Sequence, residues 1–312
     1  MHHLLSKATV HITRLNGCLL LFAVGALFGL SVPLSKLAAE VEAQPIGLAL
    51  WVNIIVGASC LTITIIRGRM PVISADVIRF VFLWGLVGAV GGDVLLFWIV
   101  QELPASTVSI LLVCEGFIVF GYVTIRDKLQ VNRKNMAGLA VGMFGMVLLI
   151  SNGVSFSAVG APVWIILALS VPLMFAAEDL LISDWTPPGV DFVALTGLAA
   201  IAGSVMLLPV AWYLDDLIVL SWVLSQLEIA IVCIAISSAL GTLLMVRLLT
   251  EMGPVYGSQA GYTITFAGIA WSMVLLGERL NSGTLFALLL LLTGLLIVEP
   301  RKPIPLVSTK FV

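Results

Sequence analysis

From Asn16 onward the apolar residues of this chain fall in runs of about twenty, divided by short polar connections. A run of that length crosses the hydrocarbon of a bilayer as a helix, and lipid offers the backbone no hydrogen bonds, so each run has to pair its own N–H and C=O groups. Ten spans can be drawn, over 16–38, 46–66, 78–100, 104–125, 134–151, 161–181, 191–213, 226–248, 254–276 and 283–299. With 61% hydrophobic and 10% charged residues among 312, nothing is left over for a soluble domain. The reading predicts an all-α integral membrane protein embedded in the lipid bilayer, with tails at 1–15 and 300–312.

Charge sets the orientation. With both termini in the cytoplasm, Lys7, Arg14, Arg67, Arg69, Arg79, Arg126, Lys128, Arg133, Lys134, Arg247, Arg301, Lys302 and Lys310 are inside and only Lys36 and Arg279 outside. That asymmetry obeys the positive-inside rule and requires an even number of spans. Lys7 and Arg14 ahead of an apolar run imitate a signal peptide, but the stretch from Asn16 to Leu37 exceeds a signal core, and it has a partner later in the chain.

That partner comes from a repeat. Ser31-Val32-Pro33-Leu34 followed by Ala38-Ala39-Glu40 recurs as Ser170-Val171-Pro172-Leu173 followed by Ala176-Ala177-Glu178. Glu102-Leu103-Pro104 recurs as Glu251-Met252-Gly253-Pro254, and Asp127-Lys128-Leu129 as Glu278-Arg279-Leu280. The halves are then 16–151 and 161–299, five spans each. An odd number makes the second half enter the membrane from the opposite side. The expected architecture is two inverted five-helix repeats, a plan on which secondary transporters alternate access around a midplane site.

Within the third and fourth spans stand two acids, Asp93 and Glu115. An acid at the centre of a membrane helix costs roughly 2.5–3.5 kcal/mol on insertion scales, so it persists facing a cavity, a partner or a proton. Asp93 precedes Pro104 by eleven residues and Glu115 follows it by eleven. In a helical hairpin turning at Gln101-Glu102-Leu103-Pro104 both lie at similar depth, roughly 15 Å from the turn. Two acids near one another favour the neutral form and share a proton, which suits proton coupling; recognition of a cationic or amino-bearing substrate is an equally simple use. The repeat maps Asp93 onto Thr242 and Glu115 onto Thr265, with Tyr262 and Ser238 on the same helical faces as these hydroxyls. Glu40 and Glu178 read as interfacial.

Other classes find little support. No basic stripe stands clear of the membrane for nucleic acid. Cys18, Cys60, Cys114 and Cys233 lack CxxC spacing, no histidine lies in a span, and no P-loop follows the glycine clusters, so no metal or cofactor is expected. Gly85, Gly88 and Gly92, like Gly138, Gly142 and Gly145, suit close helix packing, and Pro33 and Pro172 suit kinks.

The paired halves, the Phe28-Gly29-Leu30-Ser31-Val32-Pro33 end of the first span, and the Asp127-Lys128-Leu129 and Gly277-Glu278-Arg279-Leu280 elements ahead of glycine-bearing final spans carry a resemblance. The chain resembles the EamA-type branch of the drug/metabolite transporter superfamily. The resemblance implies a ten-helix bundle in the cell inner membrane, exporting amino acids or related small-molecule metabolites. It implies a central cavity lined from the first, third, fourth, sixth, eighth and ninth spans, to which Ser31, Asp93, Glu115, Ser170, Ser238, Thr242, Tyr262 and Thr265 would contribute. The acid pair departs from the family pattern. The alternatives are a membrane-embedded carboxylate enzyme, against which no Tyr-Asp motif is present, and a lipid or nucleotide-sugar carrier, which would want buried basic residues.

Overall fold

The computed structural model describes residues 2–41, 43–126, 133–151, 161–221, 225–252 and 260–297. The Asp127-Lys128-Leu129 element, Pro254 and the C-terminal tail of the sequence reading lie outside them. The described residues are overwhelmingly helical: α1 His2–Ala39, α2 Pro45–Ile66, α3 Ala75–Gly85, a π-helical segment Leu86–Asp93, α4 Val94–Glu102, α5 Ala105–Leu111, α6 Cys114–Arg126 and α7 Arg133–Ser151. The second part holds α8 Ala161–Ala168, α9 Ser170–Trp185, α10 Phe192–Tyr213, α11 Gln226–Met252, α12 Ala260–Leu276 and α13 Ser282–Ile297.

Seven helices among the described residues are long and apolar enough to cross a membrane: Leu19–Ala39, Pro45–Ile66, Ala75–Glu102, Ala105–Arg126, Ile166–Trp185, Phe192–Tyr213 and Gln226–Met245. Shorter apolar helices, Met136–Gly145, Ala260–Leu276 and Ser282–Gly294, fall where the fifth, ninth and tenth spans were drawn. α1 extends back to His2, through the predicted tail, because residues 2–15 contain neither proline nor glycine to stop it.

Local chemistry sets the ends. Pro45 opens α2, and Gly68, at φ +63°, closes it by turning the chain left-handed after Arg67. Asp191 caps α10 by accepting from Val193 N at 2.9 Å and Ala194 N at 3.3 Å. The hairpin turn lies where the sequence placed it: Leu103 is extended, as the residue before a proline must be, and α5 begins directly after Pro104.

Three spans depart from regular α geometry, and they are the ones that hold the acids. Gly88, Gly91 and Gly92 weaken the helical ladder where the π segment forms, and Asp93 ends that segment. Between α5 and α6 the chain tightens, with Val113 N bonding to Ile110 O and Glu115 N to Leu112 O, both at 3.1 Å. The break at Leu169 precedes Pro172, which has no N–H to give and crowds the carbonyl four residues back.

The connections sort onto two faces. On one, Lys36 Nζ donates to Gln101 O at 3.1 Å, Gln101 Nε2 to Ala43 O at 2.9 Å and Trp51 Nε1 to Ile218 O at 2.8 Å. On the other, Arg69 pairs with Asp191 at 3.6 Å and Arg126 with Asp184. In the interior α1 packs against α11 and α12, α9 against the π segment and α6, α2 against α10, and α7 against α13. Glycines bring these helices to backbone contact. A Cβ on Gly29 would lie 2.7 Å from Gly268 N, and one on Gly294 2.5 Å from Gly142 N.

Gly29→Val and Gly294→Val are therefore expected to destabilise the protein by about 1–3 kcal/mol each, because backbone cannot yield to the added carbons. Gly121→Ala, whose Cβ would meet nothing within 4 Å, is expected to melt with the parent. Thermal unfolding of the three proteins in detergent checks the contrast.

Candidate functional site

The two acids of the hairpin do not pair with each other. Asp93 Oδ2 accepts from Asn53 Nδ2 at 2.8 Å, and Asn53, on α2, also donates to Ala49 O at 3.0 Å. The Glu115 carboxyl, at the start of α6, lies beside that of Asp179 on α9. Two carboxyl groups so placed repel when both are charged, and a shared proton removes that repulsion.

Between these pairs stands Glu178. Its Oε1 accepts from Trp84 Nε1 at 2.5 Å, and it lies within electrostatic reach of Asp93, Asp179 and Glu115. Glycine makes the approach possible: a Cβ on Gly88 would come 2.9 Å from Glu178 Oε1, and one on Gly92 2.6 Å from the Phe175 ring. Four carboxyls from three spans thus form one array. Asp93, Glu115 and Glu178 are half-buried, and Asp179 is the open member. Among the described residues, the donors the array receives from elsewhere, Asn53 and Trp84, are neutral.

Glu178 is a correction to the interfacial position its sequence suggested. Its repeat counterpart Glu40 is exposed just past the end of α1, but α9 continues seven residues beyond Glu178 to Trp185, about 10 Å further. Leu180, Leu181 and Ile182 carry the apolar run past the acids. That continuation is the signal that would have found both Glu178 and Asp179. Asn53 and Trp84 carried no comparable signal.

The hydroxyl candidates lie elsewhere. Ser31 Oγ donates to Phe28 O at 2.6 Å and Ser170 Oγ to Leu167 O, each three residues back in its own helix. Ser238 and Thr242, on α11, are half-buried; on α12 Tyr262 is half-buried and Thr265 is buried. α11 and α12 pack around α1, whereas the acids surround α9. The structure brings Asp93 and Glu115 together through Glu178 and Asp179, and groups the hydroxyls of the eighth and ninth spans with α1 instead. Among the described residues no three His, Cys, Asp or Glu groups converge as metal ligands. A cavity of about 560 Å³ opens at the Arg69 face, lined by Pro71, Ser74, Asp76, Asp184, Trp185 and Pro188 among others, at the end of α9 that follows the acids.

If Asn53 satisfies Asp93, Asn53→Leu should destabilise the protein by about 1–3 kcal/mol, and Asn53→Leu/Asp93→Leu should recover much of that loss, since an unpartnered buried acid costs more than an apolar pair. Melting temperatures of the singles and the double give the coupling; purely additive losses would contradict the pairing.

A model of the EamA-like transporter family matches residues 15–151 and again 162–299. No curated protein sequence matches the chain. Among solved structures, one described only as "Crystal structure of protein" aligns with a TM-score of 0.62 at 15% identity, covering 90% of this chain and 96% of its own, a likeness of fold.

Proposed function

The chain belongs to the EamA-like transporter family, and from that premise we propose that it is a proton-coupled secondary transporter exporting a small polar, amino-bearing metabolite across the cell inner membrane. In this reading 16–151 and 161–299 are the two inverted five-helix halves, with both termini cytoplasmic. The packing pattern supports it. A two-fold that exchanges the halves turns the contacts of the first span with the eighth and ninth into contacts of the sixth with the third and fourth; both sets occur. It leaves the pairs α2 with α10 and α7 with α13 unchanged. Ser31 and Ser170, equivalent under the same exchange, bond their helices in the same way.

The observation that carries the proposal is the array of four carboxyls, whose donors among the described residues are the neutral Asn53 and Trp84. Each uncompensated charge at membrane depth is costly, so the array has to hold protons or a cation. An ammonium group entering from the Arg69 face, along the end of α9, would replace protons on Asp179, Glu115 and Glu178. Release of that substrate on the opposite face would return the carboxyls to protons from that side. Exchange follows from charge balance: the array cannot travel empty without cost, so proton entry and substrate exit alternate. Phosphate-bearing substrates fit poorly, since they would meet the negative charge of these carboxyls.

Cells overproducing the wild-type chain are expected to release an amino-bearing metabolite into the medium. Cells with the same membrane level of the Asp93→Asn/Glu115→Gln protein are expected to lose that release, at least about tenfold, because amides cannot exchange protons. Metabolite profiling of the medium decides it. Equal release by both proteins would leave an exporter whose acids are structural, and no release by either would remove the export reading.

A further inference from the structure

On the face that carries the hairpin turn, the Glu278 carboxylate accepts hydrogen bonds from the backbone N–H groups of Ala105 and Ser106, one to each oxygen and both at 2.8 Å. Those donors open α5, where the first N–H groups of a helix have no partner of their own. Ala105 and Ser106 are 0% and 5% exposed, so no water reaches them easily while the contact holds. Glu278 lies in the connection between α12 and α13, in residues 161–299, whereas α5 lies in 16–151. The two bonds therefore cross between the halves.

The surroundings reinforce the contact. Lys36, at the end of α1, lies within electrostatic reach of Glu278 and donates to Gln101 O at 3.1 Å. On the same face Asp216 accepts from Ile46 N at 3.2 Å, at the start of α2, again a carboxylate of the second half on a helix start of the first. The Gly29/Gly268 and Gly142/Gly294 contacts cross between the same halves, but they are backbone packing that solvent cannot replace.

We propose that Glu278 is a latch of the transport cycle: its bonds to Ala105 and Ser106 hold this face closed and break when the halves rock apart, a role that rests on the two-half transporter reading above. The contact is built to have two states. Fully made, it satisfies both N–H groups and the carboxylate. Fully opened, water satisfies all of them. Partly separated, it leaves buried donors and a charge without partners, the most costly arrangement for such groups. The glycine contacts then act as pivots that persist, and the Glu278 contact as the one that alternates.

The test uses full-length protein in nanodiscs and needs no substrate. Ser106→Cys is introduced alone and together with Glu278→Ala or Glu278→Gln, and the rate of reaction with a membrane-impermeant maleimide is compared with a parent carrying only the native cysteines. The latch predicts slow labelling of Ser106→Cys alone and labelling at least about fivefold faster with Glu278→Ala, with Glu278→Gln in between because an amide keeps one acceptor. Rates within about twofold of one another across the three proteins overturn it. Should Glu278→Ala fail to fold, the size-conserving Glu278→Gln decides alone. Because labelling is read without transport, an unchanged rate removes the latch whatever the export result, and a changed rate stands even if the exported metabolite proves to be of another class.

Discussion

A carboxyl group placed in hydrocarbon has to find a donor, a proton or a cation, and most of what is distinctive in this structure follows from meeting that need four times in one place. α9 carries two adjacent acids within electrostatic reach of one on the π segment and one at the start of α6. The glycines at 88 and 92 let α9 come close enough for this, and they also loosen the third span into a π segment. Regular α geometry is given up in the third, fourth and sixth spans and kept, among the described residues, in the others. Local irregularity and the acids thus go together.

The rest of the bundle frames the array. Cross-half seams at Gly29 with Gly268 and Gly142 with Gly294 place backbone against backbone, and Gly57 receives the Ile201 side chain, contacts that depend on shape and not on charge. Polar ties between the halves occur inside the bundle, where Trp84 Nε1 donates to Glu178, Trp271 Nε1 to Ala26 O and Thr263 Oγ1 to Leu21 O, and at the two faces. On one face they are caps and buried donors, centred on Glu278 and Asp216; on the other they are the Arg69–Asp191 and Arg126–Asp184 ion pairs, beside an open cavity.

Much of this was legible in the sequence because lipid imposes a narrow menu. Runs of about twenty apolar residues, the Pro104 turn and the repeated Ser-Val-Pro-Leu segments located the helices and pointed to two related halves, and the cost of an intramembrane acid singled out Asp93 and Glu115. What the sequence did not convey was partnership. Rotation of a helix about its axis decides which acid meets which, and the hairpin alone could not show that Asp93 turns to Asn53 while Glu115 turns to Asp179. The repeat misled at Glu178, since its counterpart Glu40 ends a helix that α9 continues. Asn53 and Trp84 each reach the array through one side-chain donor, which leaves no pattern along a chain.

The central claim is that the acid array holds protons within the membrane, and a hydrophobic carbodiimide tests it directly, because it reacts with protonated carboxyls in apolar surroundings. Treatment of the full-length protein in nanodiscs, followed by mass spectrometry of its peptides, is expected to show an adduct on Glu115 or Asp179. That adduct should be absent from Glu115→Gln/Asp179→Asn. A wild-type protein that stays unmodified at Asp93, Glu115, Glu178 and Asp179, while a reference membrane protein with a known protonated acid reacts under the same conditions, would contradict it.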